Sequence, residues 1–126
     1  MIQVGTYLKV IDNSGAKLGF CIRILNAGYN QRYAKIGSII LVSIKALRSV
    51  KNLKVKKGDI HKAVVIKTKS KSHTFSYNYK NYHENSIILL NKQNKAIGTR
   101  IFSKIPQTFK YTKFLKLTTL SLGVSL

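Results

Sequence analysis

The chain has 126 residues and carries 23 Lys and Arg against 3 Asp and Glu, a formal net charge of +20. Self-repulsion on that scale is costly on a small globule and is relieved by a polyanion, so RNA, DNA and an anionic membrane are the candidate partners. Hydrophobic residues at 44% and a mean hydropathy of -0.05 suit one packed domain and argue against disorder. No run reaches the roughly 18 apolar residues of a membrane span, and the N-terminus lacks the basic-then-apolar order of a secretory signal. The lone Cys21 excludes an intrachain disulfide and a multi-cysteine zinc site, and it reads as a buried small residue.

Tyr7 to Asp12 reads as a first strand, and Asn13-Ser14-Gly15 supplies turn chemistry after it. Leu18, Phe20, Ile22 and Ile24 then recur at period two, with Lys17, Gly19, Cys21 and Arg23 between them; this is a half-buried strand that completes a hairpin. Residues 26 to 30 are loop, punctuated by Gly28. Ile39 to Leu47 is a third strand, and Arg48 to Lys57 a basic connector read as a projecting ribbon or loop. After a tight turn at Lys57-Gly58-Asp59, Ile60 to Thr68 forms a fourth strand carried by Val64-Val65-Ile66. Lys69 to Asn85 reads as a long excursion or irregular hairpin, Ser86 to Leu90 as a fifth strand, and Asn91 to Lys95 as a turn. Pro106 separates a body of about residues 1–103 from a tail of about 104–126, in which Thr108 to Leu117 predicts a short helix or two. The fold class is therefore mainly β: a small five-stranded barrel, whose closure removes exposed strand edges, with a β-ribbon or loop extension and a short C-terminal helical region.

Catalysis is poorly supplied. Asp12 and Asp59 lie beside turn residues, where an aspartate commonly bonds the local backbone, and Glu84 is the one other carboxylate. His61, His73 and His83 have no metal-ligand spacing, and no phosphate loop or dinucleotide fingerprint occurs. No enzyme activity, cofactor or metal is expected. The cations, by contrast, cluster: Arg48, Lys51, Lys54, Lys56 and Lys57 in the connector, Lys67, Lys69 and Lys71 alternating out of the fourth strand, and Lys104, Lys110, Lys113 and Lys116 in the tail. Solvated faces normally mix signs, and these do not. Tyr77, Tyr79 and Tyr82 interleave with Asn78, Lys80 and Asn81, which fits either stacking on unpaired bases or packing a hairpin on the barrel.

An ordered set of segments resembles the ribosomal protein L-fourteen family of bacteria and organelles. The segments are Asp12-Asn13-Ser14-Gly15-Ala16; Arg32-Tyr33-Ala34 before Ile36-Gly37-Ser38-Ile39-Ile40; Val55-Lys56-Lys57-Gly58-Asp59-Ile60 leading into Lys62 to Lys69; Asn85 opening a strand that ends Leu89-Leu90-Asn91; and Ile97-Gly98-Thr99-Arg100-Ile101-Phe102. The resemblance runs from Met1 almost to the C-terminus. It implies a five-stranded barrel in the large ribosomal subunit that binds large-subunit rRNA and neighbours ribosomal proteins L-three and L-nineteen. It also implies contact with small-subunit rRNA in an intersubunit bridge. Its implied RNA contacts here are Lys17, Arg23, Arg32, Arg48, Lys51, Lys54, Lys56, Lys57, Lys67, Lys69, Lys71 and Arg100. Thr99, Arg100 and Lys113 align with the family's docking surface for a ribosome-silencing factor.

The chain departs from the family where Ser38 replaces an acid, where the connector 47–54 is longer and lacks a proline, and where Ser72 to His83 replaces an Arg-rich loop. Lys greatly outnumbers Arg, and Ile, Asn and Tyr are abundant; all four abundant types have AT-rich codons. With the alignment starting at Met1, the expected setting is an organelle-encoded protein of the mitochondrial matrix, with a plastid or an AT-rich bacterium as alternatives. Two other readings are a free-standing nucleic-acid-binding barrel and a module that binds only proteins.

Overall fold

The computed structural model describes residues 1–25, 32–69, 72–73, 79–80 and 82–125, the backbone alone for 72–73 and 79–80. Its strands in chain order are β1 (Tyr7–Val10), β2 (Ala16–Ile24), β3 (Ile39–Leu47), β4 (Ile60–Lys67), β5 (Ser72–His73), β6 (Tyr79–Lys80), β7 (Ser86–Leu90), β8 (Ile105–Pro106) and β9 (Val124–Ser125). A closed barrel runs β1-β2-β3-β4-β7. Its junctions are antiparallel except the closing one, where β1 and β7 run parallel with Lys9 opposite Ser86 and Val10 opposite Ile87.

Alternation of Cβ atoms along the strands builds two cores. Leu8, Val10, Cys21, Ile40, Val42, Ile44, Ala63, Val65, Ile87 and Leu89 fill the barrel. The opposite faces of β4 and β7 present Val64, Ile66, Ile88 and Leu90 outward, and the C-terminal segment lays Phe109, Phe114 and Leu117 over them. This two-sided burial explains why Ile87–Leu90 is an unbroken apolar run and why every residue of β7 is buried. The segment comprises a 3₁₀ turn (Gln107–Tyr111) and a helix α1 (Leu115–Leu120), and β8 and β9 pair in parallel beside them. Pro106 therefore sits inside a strand pair, and the chain beyond it doubles back onto the barrel wall instead of departing from it.

The second strand corrects a reading of the sequence. Leu18, Phe20 and Ile22 are only half-buried, while Ala16, Gly19 and Cys21 are the buried positions. Inward space sets this choice. A Cβ on Gly19 would lie 3.2 Å from Ile87 Cδ1, so small residues must face the interior and the larger apolar set covers the outer wall. Register shifts between Leu18 and Gly19 and between Cys21 and Arg23 accompany the arrangement. Burial also pushes the Cys21 thiol above its ordinary pKa, as an apolar surrounding does.

Three strands begin with the same turn. In Gln3–Thr6, Lys35–Ser38 and Lys56–Asp59 the third residue is glycine with φ of 91°, 87° and 89°. The fourth residue's N–H donates to the first residue's carbonyl at 3.2, 3.1 and 3.3 Å. The fourth residue's side-chain oxygen (Thr6 Oγ1, Ser38 Oγ, Asp59 Oδ2) accepts the first residue's N–H at 3.2, 3.1 and 2.9 Å. Each turn then clasps a neighbouring strand. The glycine N–H donates to the carbonyl of Cys21, Val65 or Ile44, and that residue's N–H donates back to the turn's fourth carbonyl. Ser38 thus serves its turn as Asp59 serves the other. A Cβ on Gly37 would meet nothing within 4 Å, so Gly37→Ala tests backbone conformation alone. We expect it to lower the unfolding free energy by about 1–2 kcal/mol in a denaturant titration, with an unchanged slope.

The connector after β3 forms no strand. Arg48 N–H donates to Gly15 O at 2.8 Å and Lys54 N–H to Ser14 O at 3.0 Å, and Val55 is buried in the barrel core. It is a strap across the β1–β2 turn rather than a projecting ribbon. Glycine suits position 15 beneath it, since its φ of 97° is one that L side chains rarely adopt and the Leu53 side chain lies where a Cβ would sit. The ribbon-like element is instead the antiparallel pair β5–β6 within the excursion 69–85.

Candidate nucleic-acid interface

Strand direction sorts the candidate cations into two groups. The β1–β2 turn, the β3–β4 connector and the segment after β7 share one end of the barrel; the β2–β3 and β4–β7 connections share the other. Lys17, Arg48, Lys51, Lys54, Lys56, Lys57, Thr99 and Arg100 thus belong to the first end. Arg23, Arg32, Lys67 and Lys69 belong to the second. Lys71 and Tyr77 lie outside the described residues, as does the loop centred on Gly28.

At the first end the β1–β2 turn is a hub. Asp12 is fully buried, and its Oδ1 accepts the N–H and hydroxyl of Ser14 at 3.1 and 2.5 Å. Its Oδ2 accepts Leu89 N–H at 3.0 Å. Burial pushes this carboxyl above its ordinary pKa; the bonds from Ser14 and Leu89 and the nearby Arg48 pull the other way. Asn13 holds the next segment. Its Oδ1 accepts the N–H groups of Thr99 and Arg100 at 2.7 and 3.1 Å, and its Nδ2 donates to Thr99 Oγ1 at 2.8 Å. A Cβ on Gly98 would come within 2.7 Å of Asn13 Oδ1, so the approach needs glycine. Thr99 and Arg100 are thereby fixed in place with their side chains exposed.

Arg48 is less free than its sequence position implies. It is half-buried, its Nη2 donates to Val10 O at 2.7 Å, and its guanidinium lies 5.3 Å from the Phe102 ring centroid. It borders two adjoining depressions. One of about 470 Å³ is lined by Asn13, Lys51, Lys54, Thr99 and Phe102, and the other of about 620 Å³ by Lys9, Lys17, Leu18 and Leu47. Lys51, Lys56 and Lys57 are exposed, and Lys54 Nζ donates to Ile97 O at 3.3 Å. Sequence reasoning passed over Lys9, Lys62 and Phe102 at this interface. Lys62 Nζ reaches Lys92 O and Asn94 Oδ1 at 3.5 and 3.4 Å. Single lysines spaced through strands make no cluster in one dimension, and only the barrel's closure sets them beside the loops.

At the second end Lys67 donates a short hydrogen bond to Ser103 Oγ and lies 5.7 Å from the Tyr82 ring centroid. Tyr82 therefore packs on a barrel lysine, which favours the packing reading for that tyrosine. Arg23, Arg32 and Lys69 are exposed. Lys113 precedes α1 and lies over the Phe114 ring at 5.4 Å, whereas Ile101 meets the far end of that helix through Leu120 O at 3.0 Å. The described contacts do not draw Lys113 to Thr99 and Arg100.

Each of the three acids of the chain has a partner within it, and only Asp12 is buried. Asp12 bonds the barrel as above, and Asp59 caps its turn. Glu84 Oε2 accepts Lys9 Nζ at 2.9 Å, and that ammonium holds the Glu84 carboxyl below its ordinary pKa. Among the described residues no group of three or more His, Cys, Asp or Glu is placed to hold a metal, and no helix is long and apolar enough to cross a membrane.

A closed five-stranded barrel that carries cations in both sets of end loops, on a chain of net charge +20, defines the class of small, strongly basic β-barrels. Residues 1–125 match the family model described as ribosomal protein L14p/L23e, and the chain belongs to that family. That family is a structural class, so the chain is a structural protein of the large ribosomal subunit and the ribosome is where it acts.

Proposed function

We propose that the barrel is a rigid spacer whose two sets of end loops staple separate segments of rRNA in the large subunit of a mitochondrial ribosome. The observation that carries this reading is the +20 charge, with only three carboxylates to offset it and each of those already bonded within the chain. Lysines such as Lys51, Lys56, Lys57 and Lys69 act as point charges on phosphates, and Arg23, Arg32 and Arg100 offer the bidentate fork. Lys17, Lys54 and Lys67 extend the same surface, and Arg48, with one donor on Val10 O, keeps its remaining donors for the RNA. A-form grooves hide base identity, so RNA shape is read more than sequence. Thr99 and Arg100, rigidly presented by Asn13, suit the contact with small-subunit rRNA or with a silencing factor, and ribosomal proteins L-three and L-nineteen are the proposed neighbours. The AT-codon bias toward Lys, Ile, Asn and Tyr supports the mitochondrial setting.

Sedimentation of a mitochondrial lysate that contains the tagged chain tests the proposal. The chain should travel with the large subunit at about one copy each and stay there through a moderate salt wash, given many phosphate contacts. Recovery at the top of the gradient, or with bacterial-type particles alone, would count against it.

A further inference from the structure

We propose that the depression between the β1–β2 turn and the connector holds one unpaired nucleotide of an RNA strand, its base stacked on Phe102. The proposal rests on the rRNA-binding reading and gives that surface a specific ligand. Phe102 is a large apolar side chain left 50% exposed on the wall of a depression of about 470 Å³. Its backbone is fixed, because its N–H donates to Ile11 O at 2.8 Å. The Arg48 guanidinium over its ring is anchored to Val10 O at 2.7 Å, so ring and cation form a preset platform. Lys51 and Lys54 line the same depression, where the sugar-phosphate chain of a stacked base would run. An aromatic face beside cations, with no carboxylate lining the space, matches a nucleotide's flat ring and anionic backbone. Asn13 and Thr99 bond each other and adjacent backbone, so they offer little to a base edge. The site therefore accepts a base chiefly by stacking, and the exposed Asn52 amide on the same wall is the group placed to meet its edge.

The chain has no tryptophan, so Phe102→Trp installs a unique fluorescent reporter on the platform. Four probes are titrated at one ionic strength: an oligoadenylate single strand, an RNA duplex of equal length, adenosine monophosphate and inorganic polyphosphate. The single strand should quench the tryptophan, and polyphosphate should bind without quenching. Phe102→Ala and Phe102→Leu should weaken the single strand roughly 5- to 100-fold, while duplex affinity changes less than about twofold. Adenosine monophosphate should quench only at far higher concentration, which marks the polymer as the source of the base. Equal single-strand affinity of Phe102→Ala, Phe102→Leu and the parent chain overturns the proposal and points to a protein occupant. Equal quenching by polyphosphate, or mononucleotide binding as tight as the strand, overturns it as well. Failure of the broader reading looks different: the parent chain would then bind neither duplex nor single strand at low salt.

Discussion

Asp12→Ala is expected to lower the unfolding free energy by about 3–5 kcal/mol, because it strands several buried donors at once. Three donors converge on this carboxylate: Ser14 N–H, the Ser14 hydroxyl and Leu89 N–H. Each is buried, and each stranded donor costs about 1–3 kcal/mol because no water replaces the lost acceptor. Asp12→Asn should cost less, since the amide keeps one acceptor but turns an N–H group toward one of the donors. Ser14→Ala, which removes one donor along with its bond, should cost only about 1 kcal/mol.

The pH dependence carries a sign. Burial raises the folded-state pKa of Asp12 above its ordinary value of 3.8. The folded chain then holds its proton where the unfolded chain has lost it. The linked stabilisation is complete below the unfolded-state value and fades as pH rises through the folded one. The gap between parent and Asp12→Ala should therefore be wider in acid than at neutrality. Denaturant midpoints at the two pH values read this directly, and a loss under about 1 kcal/mol at both would remove Asp12 from its central place.

The barrel was legible in the sequence because its signals are local. Ile39–Leu47 and Ser86–Leu90 appear at their expected bounds, and Asp12 and Asp59 take the turn-bonding roles their neighbours implied. What escaped was decided by distant packing. The outward placement of Leu18, Phe20 and Ile22 follows from the closeness of Gly19 to Ile87 across the barrel, which period-two alternation does not encode. The connector became a strap because its backbone finds Ser14 and Gly15, far upstream. Phe109 and Phe114 looked like tail residues, yet they complete a core with Val64 and Ile88. The shared turn was written in plain view as Gly5-Thr6, Gly37-Ser38 and Gly58-Asp59, but three different residue types, two hydroxyls and a carboxylate, hid the common bond. For the interface, the connector cations announced themselves as a run, whereas the β-strand lysines and Phe102 joined them only through closure. The anchoring of Arg48 on Val10 O was equally invisible in the run, because its partner lies far upstream.

Replacing Lys51, Lys54, Lys56 and Lys57 together by Gln should weaken rRNA binding roughly a thousandfold at about 0.1 M salt. Polyelectrolyte theory gives the argument. Each phosphate neutralised releases condensed counterions, and log affinity falls with log salt at about 0.7–0.9 per contact. If the parent chain engages about ten phosphates, its slope is about −7 to −9, and four lost contacts flatten it by about 3–4. The connector backbone is held by main-chain bonds to Ser14 and Gly15, so these side chains leave without unfolding the strap. A parallel variant at the opposite end, Arg23, Arg32 and Lys69 to Gln, should flatten the slope by about 2–3 on its own. A spacer gripped at both ends requires the two flattenings to add, because the groups sit on separate loops and share no partner among the described contacts. A parent slope near zero would end the electrostatic account. A normal slope that responds to only one of the two variants would show that RNA touches a single end, and the stapling role would then pass to a protein neighbour on the other.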